Sequence, residues 1–222
     1  MKIILPEIDY IFECDKDKTC SIIIENQRLF YDIVRDLSNQ LQGDDGVSVL
    51  SENNKVITIA KHVELISQFI PFDINQKSLI TKITSRLQAL SVDETHHMMT
   101  NQIVAEWERY LMTLSMNLVG NLEFSKISAE SLIKAAGVQI DNLYDNLGEQ
   151  LLDYMELVRE YDTRKLFIFI NLRSYMSDDE MRFFLDSALE RELQILLIDG
   201  FEHELLSQEE RYIVDADKCI MC

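Results

Sequence analysis

"ELQILLIDGFEHE", residues 192–204, decides how the fold is read. Leu193 and Ile195 to Ile198 form a short apolar run closed by Asp199, the pattern of a strand buried on both faces of a parallel sheet. A nucleotidase ends its Mg²⁺-binding strand in this way, but a carboxylate there holds a metal only if a phosphate cradle lies opposite. Such a cradle needs G-x-x-x-x-G-K-[ST], whose backbone N–H groups surround the phosphates. The glycines are Gly43, Gly46, Gly120, Gly137, Gly148 and Gly200; none begins that pattern, and no Gly-Lys pair occurs. ATP hydrolysis is therefore not expected, and Asp199 is read as ending a strand at the sheet's edge.

Other strands cluster at the two ends of the chain. "CSIIIEN" (20–26) reads as a strand feeding a helix, because Phe30, Ile33, Leu37 and Leu41 recur at helical spacing. Val47 to Leu50 and "NNKVITIA" (53–60) read as a hairpin turning at Asn53-Asn54. "KHVELISQF" (61–69) reads as a short helix ended by Pro71. "KLFIFINL" (165–172) is apolar on both faces, and "SDDEMRFFLDSALERE" (177–192) opens on a capping box, Ser177 with Glu180. With the strand at 194–199 these make a β-α-β unit; "RYIVDAD" (211–217) supplies a last strand.

The middle of the chain is helical. A helix is expected over Asn75 to Leu90. Met99, Ile103, Trp107, Tyr110, Leu114 and Leu118 lie on one stripe of a long helix stopped near Gly120. "SAESLIKAAGV" (128–138) is a short helix capped by Ser128 and ended by Gly137. Leu143, Leu147, Leu151, Tyr154, Val158 and Tyr161 mark a second long helix. The fold class is α/β: a head domain from residues 1–72 and 164–222, with a helical leg inserted at 73–163.

Composition narrows the function. The 222 residues are 47% hydrophobic, with six Gly and two Pro, enough for a sizeable core and much helix. No apolar run approaches membrane length, and the N-terminus lacks a signal-peptide pattern, so a cytoplasmic protein is expected. The net charge of −18 excludes a broadly basic protein but leaves room for a local basic stripe. Cys14, Cys20, Cys219 and Cys222 raise the idea of zinc, yet the first pair is C-x₅-C, and reduced thiols fit better. His96-His97 points two ways from a helix and makes a poor metal pair. A nuclease built on Asp199, Glu202 and Glu204 lacks the Lys such a site wants, and no nucleophile signature occurs.

Four segments taken together, "PFDIN" (71–75), "ESLIKAAGVQID" (130–141), "KLFIFINLRSYMSDDE" (165–180) and "ILLID" (195–199), resemble in order and spacing the CRISPR-associated adaptation protein of type II-A systems. The resemblance covers roughly residues 70–220. It implies a P-loop-NTPase-like sheet domain without a phosphate loop, a helical leg, and no catalytic residues. It implies a homotetrameric ring that holds the ends of linear double-stranded DNA by its backbone during spacer acquisition in antiviral defence. Calcium as a cofactor and other CRISPR adaptation proteins as partners are implied as well. Candidate phosphate contacts are Lys82, Arg86, Lys126, Lys134, Arg164 and Lys165. Where the family places calcium, Glu123 and Glu130 remain acidic, but Asn121, Ser125, Lys126 and Ser131 are neutral or basic, so the site is weakened. The alternative is a degenerate NTPase-like scaffold for protein–protein interaction.

Overall fold

A computed structural model describes residues 1–15 and 17–221. The chain separates into two compact units, one running from Met1 to Ile74 and from Asn142 onward, the other spanning Asn75–Asp141.

The first unit is built on a six-stranded sheet. Its strands are β3 (Thr19–Ile24), β6 (Val63–Ile66), β7 (Leu166–Ile170), β8 (Gln194–Asp199), β9 (Glu209–Val214) and β10 (Ile220–Met221), in the order β10-β9-β3-β8-β7-β6. All neighbours are parallel except β10, which runs antiparallel to β9. Every residue of β3 and β7 is buried, as two-sided covering requires. Register aligns Ile22 with Ile198 on one side and Tyr212 on the other.

Alternate side chains serve the two faces. Leu166, Ile168, Leu196 and Ile198 join Leu29, Ile33 and Leu37 of helix α1 (Gln27–Gln42) in one core. A second sheet closes that core: β1 (Lys2–Ile4), β2 (Phe12–Glu13), β4 (Val49–Glu52) and β5 (Lys55–Ile57), antiparallel in the order β2-β1-β4-β5, contributes Ile3, Phe12 and Leu50. The β4–β5 hairpin turns at Asn53 and Asn54, both in the left-handed region that Asn tolerates. On the other face lie α6 (Leu147–Tyr161) and α7 (Asp178–Glu190); Phe184 meets Phe169 edge-on at 5.8 Å. Ser177 and Glu180 form the expected reciprocal cap.

Three expectations change here. The segment 61–69 is not a helix: one turn, α2 (Ile59–His62), leads into strand β6, which pairs with β7 from Val63 opposite Leu166. Val-Glu-Leu-Ile has the β-branched content of a strand, and the open edge of β7 offers it backbone partners that a short isolated helix cannot match. The second long helix, α6, belongs to the sheet unit, where Leu151, Leu152, Tyr154, Met155 and Val158 are buried; Leu143 lies outside it and is exposed. The inserted unit is thus 75–141, shorter than the leg of 73–163 read from periodicity. Finally, β8 is an interior strand, so Asp199 ends a strand well inside the sheet and is 2% exposed.

The second unit holds α3 (Lys77–Ser91), α4 (His97–Ser115) and α5 (Ala129–Ala136). Asn75 closes its base, accepting from the Ile140 amide at 2.7 Å and donating to its carbonyl at 3.1 Å. Ser128 caps α5 and Gly137 ends it in the left-handed conformation, as the sequence indicated. Leu79 is the one residue of α3 that is buried, and α4 and α5 bury none.

Candidate nucleic-acid interface

The connection from β3 into α1 is the place where a phosphate loop would sit, and it consists of Glu25 and Asn26. Asn26 accepts from the Leu29 amide at 3.0 Å and donates to the Ala216 carbonyl at 2.9 Å. Two residues with a carboxylate and a self-satisfied cap leave no ring of free N–H groups for an anion.

Asp199 sits among buried charge. Arg173, 5% exposed, donates to Glu209 at 2.9 Å, to Asp178 at 2.6 Å and to the Glu204 carbonyl at 3.1 Å. Arg211 donates to the same Glu204 carbonyl at 2.9 Å. Glu209 also accepts from the Leu206 amide at 3.0 Å. Two arginines and one carboxylate therefore clamp the β8–β9 loop onto the carboxyl ends of the strands. One oxygen of Asp199 has no hydrogen-bond partner. Burial pushes its carboxyl up to about 7, opposed by Arg173 and reinforced by Glu209. Glu202 and Glu204 are exposed, so the three carboxylates form no shared site. Among the described residues no group of three or more His, Cys, Asp and Glu is placed to hold a metal. Cys14 and Cys20 are buried and Cys219 is exposed, all three free; Cys222 lies outside the described residues.

The six basic candidates divide between the units. Arg164 lies in the first, bonded to Glu64 at 2.6 Å and beside Asp162 at 3.4 Å, with its side chain 24% exposed. Glu64 also accepts from the buried Tyr154 hydroxyl at 2.6 Å, so Arg164 helps tie α6 to the edge strand β6. Lys165 pairs with Glu52 at 3.3 Å. Lys82, Arg86, Lys126 and Lys134 lie in the second unit. Lys82 and Arg86 are four apart on α3, and Arg86 and Lys126 are exposed. Lys134 is bonded to Glu130 at 2.6 Å, which holds the Glu130 carboxyl below its ordinary range. Glu123 is exposed in the segment between α4 and α5, and Glu130 is in the first turn of α5.

A feature that single-residue reading missed is the partition of charge. Residues 75–141 hold six Lys and Arg against seven Asp and Glu, so the second unit carries −1 of the chain's −18. From Ile74 to Val92 there is no acidic residue at all, while Lys77, Lys82 and Arg86 are present. Counting acids segment by segment finds this stretch without a structure, and it adds Lys77 to the candidates.

No helix among the described residues is long and apolar enough to cross a membrane. The family model for the CRISPR-associated protein Cas_Csn2 matches residues 40–218. CRISPR-associated protein Csn2 of Enterococcus faecalis is 22% identical over 209 residues, covering 90% of this chain and 89% of that relative. The crystal structure of Stu0660 of Streptococcus thermophilus superposes with a TM-score of 0.55 at 13% identity, over 89% of this chain and 68% of the other, a likeness of fold alone. An α/β sheet unit with a helical insertion, matched by that family model over most of its length, places the chain in the Csn2 family of CRISPR-associated proteins.

Proposed function

We propose that this chain works in CRISPR adaptation, in the cytoplasm, as a non-catalytic protein that holds linear double-stranded DNA within a homotetrameric ring alongside other adaptation proteins. The observation that supports DNA binding is the acid-free stretch 74–92 with Lys77, Lys82 and Arg86, in a chain whose net charge lies almost wholly in the other unit. Phosphate contacts need concentrated cations, and α3 is where they are concentrated. Self-association is supported by α4. Ile103, Trp107, Tyr110 and Leu114 are each at least 44% exposed on a helix that buries nothing within its own unit. The six-stranded sheet then acts as a P-loop-NTPase-like scaffold whose phosphate loop is lost. In this reading Arg164 and Lys165 are structural and Lys82, Arg86 and Lys126 meet the backbone. Calcium at Glu123 and Glu130 binds weakly, because residues 121–131 offer only these two carboxylates to an ion that takes six to eight oxygens.

Competition between linear and closed circular duplex of equal sequence tests the ring. Linear DNA should win, since a ring is threaded from an end; equal competition overturns threading. Lys82→Glu with Arg86→Glu should weaken binding to every duplex alike and reduce the salt slope by about 2, one per lost phosphate contact. Unchanged binding in that variant, with loss in Lys126→Glu, moves the interface off α3.

A further inference from the structure

The carboxyl ends of β7 and β8 are followed by large apolar side chains that the sheet unit leaves exposed. Tyr175, which follows β7, is 47% exposed, and Phe201 and Leu205, which follow β8, are 72% and 58% exposed. Phe183 of α7 is 60% exposed. The segments that carry these side chains are tied to one another. Tyr175 packs on Phe69 at 5.0 Å, and Arg173, two residues before it, holds the carbonyl of Glu204, next to Leu205. Asp186, one helical turn beyond Phe183, accepts from Gln208 of the same loop at 2.6 Å. Summed over the four side chains, the exposed area is on the order of 400 Å².

The surface around it is acidic. Segments 171–183 and 200–211 hold seven Asp and Glu against three Arg. Arg173 and Arg211 are spent inside the clamp together with the buried Glu209, and Arg182 pairs with Asp179, so the excess of four carboxylates is what remains. Glu202 and Glu204 alternate with Phe201 and Leu205 on the loop itself. We infer that this end of the sheet is a docking surface for a basic, amphipathic protein segment, one presenting Lys or Arg beside apolar side chains. Apolar contact supplies the affinity, and the carboxylates select the sign of the partner's charge and repel nucleic acid. The arginine clamp bears directly on this role. A loop of nine residues, Gly200 to Gln208, carrying an exposed Phe and Leu would be mobile if held by its ends alone. Anchoring Glu204 and Leu206 from beneath fixes both side chains before binding and lowers the ordering cost. The site belongs to the first unit and α3 to the second, and the inference does not depend on the DNA reading.

The test uses the full chain and a labelled amphipathic Leu/Lys helical peptide, with a Leu/Glu peptide of the same pattern as control, followed by fluorescence anisotropy. The Leu/Lys peptide should bind and the Leu/Glu peptide should not. Phe201→Ser with Leu205→Ser, which leaves the charge unchanged, should weaken binding at least about tenfold, as expected for central apolar anchors. Glu202→Gln with Glu204→Gln should weaken it less and flatten its salt dependence. Equal affinity in the Ser variant would mean that the peptide merely answers the overall negative charge, and the proposal fails. A fall in native mass in the Ser variant would mean that a second copy of the chain covers the surface, and the proposal also fails. Loss of DNA binding in Lys82→Glu with Arg86→Glu should leave peptide binding intact.

Discussion

Asp199→Asn should stabilise the protein, and by more as pH rises. The carboxyl is 2% exposed, has one oxygen without a partner, and is pushed by burial from its ordinary value of 3.8 to about 7. The sign follows from linkage. The folded chain holds this proton more tightly than the unfolded one, so the contribution is fully present below 3.8 and is lost as pH climbs through about 7. The full loss corresponds to about 4 kcal/mol, of which about 2 kcal/mol falls between about pH 5.5 and pH 8.5. Asn reproduces the neutral form at every pH and keeps an oxygen to accept from the Arg173 amide. Urea titration at the two pH values should show the Asn variant more stable at both, with the gap wider by about 2 kcal/mol at the alkaline end. Thermal melting should show the same widening as about 4–8 °C, at the slope expected for a chain of this size. A gap that stays constant with pH refutes the titration argument, and a variant less stable than the parent at the alkaline end refutes the reading of Asp199 as an uncompensated buried charge.

Arg173→Ala should cost about 3 kcal/mol, because it removes the closer of the two arginines that pair with the fully buried Glu209 and one of the two that hold the β8–β9 loop; chemical denaturation measures the loss, and proteolysis within 200–208 should rise with it. Ile103→Asp with Trp107→Asp on α4 should reduce the native mass toward the 25.9 kDa monomer in sedimentation without lowering the melting temperature by more than a few degrees, since neither side chain is buried. Chelation of calcium should leave the native mass unchanged, given only two carboxylates in 121–131; dissociation on adding chelator would show calcium held more tightly than Glu123 and Glu130 alone allow.

Much of the fold was legible because local signals agreed with tertiary ones. The apolar runs of β3, β7 and β8, the caps at Ser128 and Ser177, the stop at Gly137 and the Asn53-Asn54 turn each act within a few residues, and each lies where the pattern indicated. What failed depended on distant partners. Val63–Ile66 becomes a strand because β7, a hundred residues away, presents an open edge. The stripe of α6 looked like one more leg helix, since periodicity gives an apolar face without saying what covers it. Its Tyr154 hydroxyl and buried leucines find their partners only in the assembled sheet unit. The same limit applies to the site. Arg164 and Arg86 are equal as letters. In the structure one is paired with Glu64 and Asp162 while the other is exposed, a difference that only the fold supplies.

The proposal of a polyanionic ligand for an acidic chain rests on the partition of charge between the two units. At physiological ionic strength exposed charges farther apart than about 8 Å are largely screened. Helix α3, with fifteen residues, is about 22 Å long and has no acidic residue, so a phosphate on the face shared by Lys82 and Arg86 meets only basic charge from that helix. The acidic excess of the sheet unit then has a consequence of its own: it leaves that unit poor at holding DNA and well suited to a basic protein segment. The two proposals thus divide by unit, with sign of charge as the sorting rule: a polyanion on the near-neutral helical unit, and a basic protein segment on the acidic sheet unit.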